Sequence, residues 1–450
     1  MHRLSVSRFV SDQSGGGTIM GLFWFMLMVG ITGMAVDSTN GFRSRTMLQA
    51  TADASALAAA IDLPNNAAVT ATAVSYADNN MGVDLNGTVL NTADVHVGHW
   101  DASTNSLDTT SGFPDSVMVT VRQTEENSNP VPVNFLRIVG LSDWNVQAQA
   151  VAQRFIPECL KDGLVAEGTV NIESGNGFVN NICIHGQQGV EMQIDNSFQS
   201  GVTVSMPDPD SQLSTPSGSM TSNPGLPEAL RENILHPRMV KDLDNIIAKL
   251  RDPSLDTGLV KVIPSYIDAT LPVIAETNKI DFTGLNFPTG SGRIYDIDCK
   301  GKPTVNIPAG ITISNVVIVI ECSIAVNPGA TLTNVVLSSY RVGNGQADPL
   351  NHTNISVAAN VQLGAPDLCA LGGGVQFFSA ASVQISSSAI IDGLQIVAAG
   401  DIQLGTRDIG INGISAQAGQ DITLEANNTF GLCNGGAPNL FTIPYYRLVL

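Results

Sequence analysis

The sequence predicts a mainly β chain with a single N-terminal transmembrane helix and an amphipathic stem. A small α+β domain follows, and then a right-handed parallel β-helix with a partly helical insertion. Three observations lead to this prediction. The run from Thr18 to Val36 contains no charged residue. Two later segments, 95–100 and 116–124, alternate apolar and polar residues as half-buried strands do. Beyond residue 300, apolar–polar–apolar tripeptides recur at intervals of roughly 20 residues.

The uncharged run is long enough to cross a membrane. As a helix, Thr18 to Val36 extends about 28 Å, close to a hydrocarbon core of about 30 Å. The Ala-rich segment 43–60 favours a helical stem. Its apolar face, by spacing, comprises Met47, Ala50, Ala54, Leu57, Ala58 and Ile61. A cleaved signal peptide is the alternative, because Gly33-Met34-Ala35 has the form of a cleavage site.

Residues 63–156 predict a small α+β domain. After the strands at 95–100 and 116–124, segment 130–140 has the composition of a short helix following a turn. Segment 145–155 then returns to strand alternation. The order β-β-α-β supports an α+β class for this part of the chain.

Internal repetition predicts the third part. Segments 310–320 and 329–339 resemble each other, and tripeptides at 361–363, 383–385, 402–404 and 422–424 continue the series. This period suits one coil of a parallel β-helix, whose stacked strands satisfy each other's hydrogen bonds. Segment 206–292 is predicted to be an insertion, because it begins with a Pro- and Ser-rich loop and continues with apolar residues at helical spacing. The expected domains are therefore 1–62, 63–156, 157–434 with the insertion 206–292, and a C-terminal tail 435–450.

Charge and cysteine usage limit the environment. The net charge of −19, with only 21 Lys and Arg, argues against nucleic acid or an anionic membrane surface as a partner. Six cysteines follow the apolar run and none has zinc-ligand spacing, which predicts disulfides in an oxidising compartment. Other connectivities, and six free thiols, stay open. Sequence order favours the pairs Cys159–Cys183, Cys299–Cys322 and Cys369–Cys433.

The candidate chemistry is sparse. His96 and His99 lie on a predicted strand with a spacing that points them to opposite faces, so they do not predict a metal site. Segment 101–105 approaches an Asp-x-Ser-x-Ser metal motif but predicts a turn with Asx hydrogen bonds. Asp401 and Asp421 precede equivalent strands and could form an acidic row with two further carboxylates, Asp392 and Asp408. We predict no catalytic, cofactor-binding or metal-binding residues.

The N-terminal region resembles the TadG-like family of the bacterial Tad/Flp (tight adherence) pilus system. The resemblance is close over residues 15–62 and looser to residue 155. It rests on the apolar run ending in Ala-Val-Asp and on the Ala-rich segment after it. The residues that carry it are Asp37, Leu48, Gln49, Ala50, Asp53, Ala54 and Leu57.

This resemblance implies a non-enzymatic component of pilus biogenesis, anchored in the bacterial inner membrane. The N-terminus is expected in the cytoplasm and the bulk of the chain in the periplasm, with the solenoid as a spacer or contact surface. Other pilus-assembly or pseudopilin membrane helices are the expected partners, with the secretin or envelope glycans as further candidates. Two alternatives remain: a surface adhesin that binds glycans, and a polysaccharide lyase or glycosidase on the β-helix.

Overall fold

The computed structural model describes residues 15–216, 219–257, 261–277, 292–300, 303–340, 352–367, 372–405, 411–433 and 441–450. The chain divides into two units. Unit 1 comprises Met1–Phe155 together with Pro444–Leu450, and unit 2 comprises Ile156–Ile443.

Unit 1 is built on one long helix, α1, which runs without a break from Gly15 to Ala60. The predicted membrane span and the predicted stem are therefore two halves of the same helix. The first half exposes its large apolar side chains, whereas the second half packs across a β-sheet. Uninterrupted helical hydrogen bonding makes α1 a stiff rod of about 69 Å.

The sheet of unit 1 has five antiparallel strands in the order β2-β1-β3-β6-β31. Valines on β3 and alanines on β6 face α1 and form the core with it. The strands are β1 Val95–Asp101, β2 Ser106–Asp108, β3 Ser116–Gln123, β6 Val146–Phe155 and β31 Tyr445–Leu448, and β4 Val131–Pro132 pairs separately with β5 Asp143–Trp144. The other helices are α2 Asn66–Asn80 and α3 Val83–Asn86, with 3₁₀ turns at Thr92–Asp94 and Leu136–Val139.

The predicted apolar face of the stem is only partly correct: Leu57 packs against the core, but the centre of the buried face lies elsewhere. Met47 and Ile61 are 40% and 58% exposed, and Ala50 is also exposed. The helix instead buries a face of mostly small residues: Leu48, Thr51, Ala52, Ser55, Ala56, Ala59 and Ala60. Small side chains let the helix backbone approach the sheet closely. Which face is buried therefore depends on side-chain size and not only on the spacing of apolar residues.

One other expectation for unit 1 differs from the structure, and the structure shows where the end of the chain docks. Segment 130–140 is not a regular helix but the strand β4 followed by the 3₁₀ turn Leu136–Val139. Within the predicted tail 435–450, β31 pairs with β6 in the sheet of unit 1, with Tyr445 opposite Phe155. The end of the chain thus completes the sheet that its first third begins.

Unit 2 consists of long parallel sheets. The strands form a 15-stranded sheet and a 9-stranded sheet, and the chain passes repeatedly from one to the other; all strand pairings within them are parallel. This arrangement agrees with a solenoid, while the right-handed winding stays a prediction.

The strands of the 15-stranded sheet are β7 Gly163–Ala166, β9 Gly177–Phe178, β10 Cys183–Gly186, β12 Ser197–Phe198, β13 Thr203–Met206, β15 Leu230–Glu232, β16 Ile274–Thr277, β17 Arg293–Asp298, β19 Thr312–Ile320, β21 Thr331–Ser339, β23 Gln362–Leu363, β24 Val375–Ser379, β26 Ile390–Ala398, β28 Ile411–Ala418 and β30 Thr429–Gly431. Those of the 9-stranded sheet are β8 Thr169–Ile172, β11 Gly189–Met192, β14 Leu213–Ser214, β18 Thr304–Ile307, β20 Ser323–Val326, β22 Thr353–Val357, β25 Ser382–Ile385, β27 Ile402–Leu404 and β29 Ile422–Leu424. The helices of unit 2 are α4 Glu158–Lys161, α5 Pro209–Gln212, α6 Leu226–Ala229, α7 Arg238–Lys241 and α8 Leu243–Arg251, with 3₁₀ turns at Ser219–Ser222 and Pro253–Leu255.

The coils of unit 2 do not stack in sequence order. The last coil pairs with the first, through β28 with β7, β29 with β8 and β30 with β9. The chain therefore enters the stack in its middle and builds coils outward to β14 and β15 at one end. It then restarts at β16 at the opposite end and returns to β7. The stack is a circularly permuted arrangement of one continuous set of coils.

Residues 233–273, which we name the return segment, connect the two ends of the stack. The backbone N–H of Leu235 donates to Gln187, and Arg251 contacts Asp296 at 3.0 Å on a strand near the far end. Apolar residues of α8 pack on outward-facing side chains of the 15-stranded sheet, including Val317 and Phe378.

The predicted insertion 206–292 is too long. Its strands β14, β15 and β16 belong to the two sheets, so a shorter segment leaves the stack. Strands of two to four residues are too short to show a period-two pattern.

Side-chain ladders cross the junction between the last and first coils. Phe178 stacks between Phe198 and Phe430, with ring centroids 5.0 and 5.4 Å apart. Beside them, the buried asparagines Asn428, Asn176, Asn196 and Asn223 form a ladder in which each side-chain oxygen accepts the backbone N–H of the preceding member. These ladders stabilise the junction by apolar burial and by satisfying backbone groups inside the coil.

The junction predicts a large effect of a single truncation. Replacing Phe178 with Ala removes a fully buried ring from the ladder and should lower the free energy of unfolding by about 3–5 kcal/mol. Urea denaturation measures this change. The matched control is Phe113→Ala, because Phe113 is 89% exposed and its truncation should change stability little. Equal losses in the two variants would contradict the stacking order described above.

Candidate functional site

The exposed half of α1 is one candidate site. Phe23, Phe25 and Ile31 are among the large apolar side chains exposed along it. Within the described residues, α1 is the helix long and apolar enough to cross a membrane, a test that a signal sequence near the N-terminus also passes. The predicted span Thr18–Val36 falls in this half. Such an apolar surface, together with its length, suggests a membrane anchor.

Asp37 lies where the exposed half ends, and its carboxylate has a structural role. It accepts backbone N–H groups from Asn134, Phe135 and Leu136 at 3.0, 2.8 and 2.7 Å. Burial raises the pKa of Asp37, but these three hydrogen bonds together outweigh it and leave the pKa below its ordinary value. Asp37 thereby fixes the loop between β4 and β5 to the helix.

Two glycines of α1 allow this loop and strand β5 to approach the helix closely. A Cβ atom at Gly33 would lie 2.6 Å from Cβ of Phe135, and one at Gly41 would overlap the ring of Trp144. The loop therefore packs on the helix on both sides of Asp37, where a larger residue would push it away.

Leu48 and Gln49 of the N-terminal motif hold α1 to its own sheet. Leu48 is fully buried, and Gln49 donates to Asp53 at 2.8 Å and to the carbonyl of Gln149 at 3.1 Å. Ala50 is exposed, and Ala54 and Leu57 are half-buried. The motif is thus a packing and hydrogen-bonding pattern between helix and sheet.

Disulfides join strands or loops of unit 2. Cys159 bonds to Cys183 with Cα atoms 5.0 Å apart, and Cys299 bonds to Cys322 with Cα atoms 5.9 Å apart. Cys433 is also in a disulfide. Cys369 lies outside the described residues. Both described pairs are among those that sequence order favours; Cys159–Cys183 joins helix α4 to β10, and Cys299–Cys322 joins the segments that follow the neighbouring strands β17 and β19.

Two carboxylates of the acidic row accept hydrogen bonds from backbone N–H groups of the coils. Asp401 accepts the N–H of Asp421 at 3.0 Å, and Asp421 accepts the N–H of Thr169 at 2.7 Å, across the junction of last and first coils. A shallow depression of about 350 Å³ lies beside them. Asp392 is buried on β26, and Asp408 lies outside the described residues. The structure thus brings Asp401 and Asp421 together as caps of successive coils.

The other sequence candidates, His96, His99 and Asp101, lie on strand β1. His96 is exposed, and His99 contacts Asp115 at 2.8 Å. Asp101 accepts the N–H and hydroxyl of Ser103, which confirms the Asx turn and lowers the pKa of Asp101 to about 2. In the described part of the chain, no three His, Cys, Asp or Glu side chains are grouped so that they could hold a metal.

His185 stands alone in the sequence as a solvated or hydrogen-bonded histidine, and the structure buries it under the return segment. His185 is fully buried on β10, with Ser205 at 2.9 Å and Gln187 at 3.1 Å from its ring nitrogens. Burial lowers the pKa of His185, and the nearby charge of His236 lowers it further. Only stacking of β10 on β13 brings Ser205 beside it, so a local pattern could not reveal this pair.

The lowered pKa of His185 predicts acid destabilisation. Since the folded pKa lies below 6.5, the unfolded chain binds more protons as the pH falls through that value. Stability should therefore be retained above pH 6.5 and decrease below it. Urea unfolding of wild type and His185→Gln between about pH 7.5 and 5.5 tests this, and the variant should lose part of the pH dependence. The control is the exposed His96→Gln, which should keep the wild-type dependence; an unchanged slope in His185→Gln would contradict the assignment.

The geometry of the acidic row predicts a difference between two substitutions. Asp421→Ala removes the acceptor of the Thr169 N–H and should destabilise unit 2 by about 1 kcal/mol. Asp421→Asn keeps a side-chain oxygen and should stay close to wild type. Chemical denaturation distinguishes them. If both variants were equally destabilised, the carboxylate charge and not the hydrogen bond would be the stabilising feature.

Comparison with known proteins gives three family matches. The putative Flp pilus-assembly TadE/G-like family matches residues 15–62, and the putative Tad-like Flp pilus-assembly family matches residues 46–152. A domain of unknown function, DUF7867, matches residues 163–434. Neither the curated proteins nor the solved structures contain a match to this chain. The N-terminal region is thus that of a TadG-like protein of the Tad/Flp pilus system, and through the match over more than half of its length the chain belongs to the DUF7867 family.

Proposed function

We propose that this chain is a non-enzymatic component of Tad/Flp pilus biogenesis. Its N-terminal helix anchors the chain in the bacterial inner membrane and thereby tethers a β-solenoid to it. The carrying observation is α1, a single helix with an exposed apolar half and a half packed on the sheet of unit 1. The pilus-assembly matches cover this same region. Because the anchor and the folded unit share one stiff helix, the position of the helix in the membrane sets the position of unit 1 relative to the membrane.

The proposed orientation has the N-terminus in the cytoplasm and the rest of the chain in the periplasm. Disulfides in unit 2 support an oxidising compartment, since they are rare in the cytosol. Within this topology, residues 1–62 anchor the chain, 63–156 form the membrane-proximal domain, and 157–434 form a right-handed solenoid that acts as a spacer or contact surface. The tail 435–450 follows it.

The expected partners are membrane helices of other pilus-assembly proteins, with the secretin or envelope glycans as further candidates for the solenoid. The Tad matches support interaction with the pilus machinery. A structural role is favoured over a polysaccharide-cleaving one because Asp401 and Asp421 accept backbone N–H groups. Phe178, Phe377, Phe378 and Phe430 are buried, so they are not available for stacking on sugars in an adhesin.

A charge in the centre of the span tests the anchor. Leu27→Arg should reduce the fraction of protein that remains in membranes after an alkaline wash, because arginine at mid-bilayer costs about 2.5–3.5 kcal/mol. Leu27→Ala is the control and should remain in the pellet. The intact mass of the mature protein distinguishes an anchor from a signal peptide cleaved after Ala35. Full extraction of the wild-type chain would contradict anchoring.

A photoreactive residue at Met28 then tests the pilus assignment in cells that are making pili. Met28 is exposed in the middle of the predicted span, so crosslinks from it should capture membrane helices of pilus-assembly proteins. The same probe at Phe113, which is exposed on the sheet end far from the span, should not. Recovery of envelope polysaccharide alone would contradict the proposal.

A further inference from the structure

The loop between β4 and β5 exposes apolar side chains beside the predicted span. Ile138 is 84% exposed, and Phe135 and Leu141 are exposed as well. Together with α1 they border an apolar groove of about 350 Å³, lined by Phe25, Met26, Val29, Gly30, Phe135, Leu136 and Ile138. The groove is continuous with the exposed apolar surface of α1. In water, this combined surface would be unfavourable in proportion to its apolar area.

The loop reaches back along the part of α1 that we assign to the membrane. Phe135 packs on Gly33, and the groove extends to Phe25. The helix from Phe25 to Asp37 is about 18 Å long, and the span is predicted to end at Val36. The 3₁₀ turn Leu136–Val139 therefore lies at the level of the periplasmic half of the hydrocarbon core, whose total thickness is about 30 Å.

The backbone of the loop is suited to an apolar medium. Unpaired N–H groups are costly in hydrocarbon. Here the Asp37 carboxylate accepts hydrogen bonds from three backbone N–H groups of the loop, those of Asn134, Phe135 and Leu136. Others donate within the loop: Val133 to Ser142 at 3.1 Å, Ile138 to Phe135 at 3.1 Å, Gly140 to Arg137 at 3.1 Å and Leu141 to Leu136 at 3.2 Å.

Residues typical of a membrane interface surround the apolar ones. Arg137 is exposed on the turn, and Arg43 and Arg45 are exposed on α1 just beyond Asp37. Trp144 packs at Gly41, at the same level. Long arginine side chains can place their charge among phosphate groups, and tryptophan is enriched at this depth. This local positive charge contrasts with the net charge of −19 of the whole chain.

We propose that residues 133–142 insert into the periplasmic leaflet of the lipid bilayer beside α1. The inference rests on the proposed membrane anchoring. It gives the chain a second membrane contact, which fixes the depth of α1 and its rotation about its own axis. One face of the helix is then covered by the loop and lipid, and the opposite face is presented to other membrane helices.

Fluorescence quenching by spin-labelled lipids tests this insertion. Full-length chains carrying Ile138→Cys, Phe23→Cys or Phe113→Cys are labelled with an environment-sensitive fluorophore without reductant, so that native disulfides persist. They are reconstituted into vesicles of phosphatidylethanolamine and phosphatidylglycerol with a nitroxide at mid-acyl chain. The probe at 138 should be quenched to a degree comparable with that at 23. The probe at 113 should not be quenched, because Phe113 is separated from the membrane end of the sheet by about 30 Å of strand.

The three sites separate the possible failures. Quenching at 23 but not at 138 would overturn loop insertion while leaving the anchor intact, as expected if a protein helix and not lipid occupied the groove. Quenching at neither site would overturn the anchor and, with it, the loop insertion. Since the side chain of Ile138 is exposed, its replacement by cysteine leaves the packing of unit 1 unchanged.

Discussion

The pairing of the last coil of unit 2 with its first coil is the interaction on which the rest of that unit depends. Three parallel strand pairs, β28 with β7, β29 with β8 and β30 with β9, join segments that are far apart in sequence. The phenylalanine and asparagine ladders continue across the same boundary. Without this pairing, each half of the stack would expose strand edges and an open apolar core.

This strand order also explains how the chain segment of unit 2 can lie between the strands β6 and β31 of unit 1 in the sequence. In unit 1, Phe155 lies opposite Tyr445, so the chain must leave and return at nearly the same place. A solenoid built in sequence order would place its two ends at opposite ends of the stack, about 50 Å apart for eleven strands. The permuted order brings both ends to adjacent coils, and the return segment supplies the connection along the stack.

Asp37 has a corresponding importance in unit 1. From the sequence alone, a carboxylate at the end of an apolar span would only mark the end of the membrane-spanning segment. In the folded unit it is buried and accepts three backbone N–H groups from a loop almost one hundred residues later. Gly33 and Gly41 make room for that loop on the same helix face. The motif therefore joins α1 to its domain, which supports the proposed anchoring role.

The sequence by itself determined those features that depend on local composition and period: the apolar span, the strands at 95–101 and 116–123, the repeated parallel strands and the Asx turn at Asp101. It also led to the Tad region and to two disulfide pairs in unit 2. It misassigned the buried face of the stem, because alanines and other apolar residues surround that helix almost evenly, and burial there is chosen by the close approach of a sheet. Only the tertiary structure decided the coil order, the return segment, the partners of Asp37 and the burial of His185. Each of these arises from contacts between distant segments, and a periodic sequence is compatible with many such stackings until hydrogen bonding and side-chain packing select one.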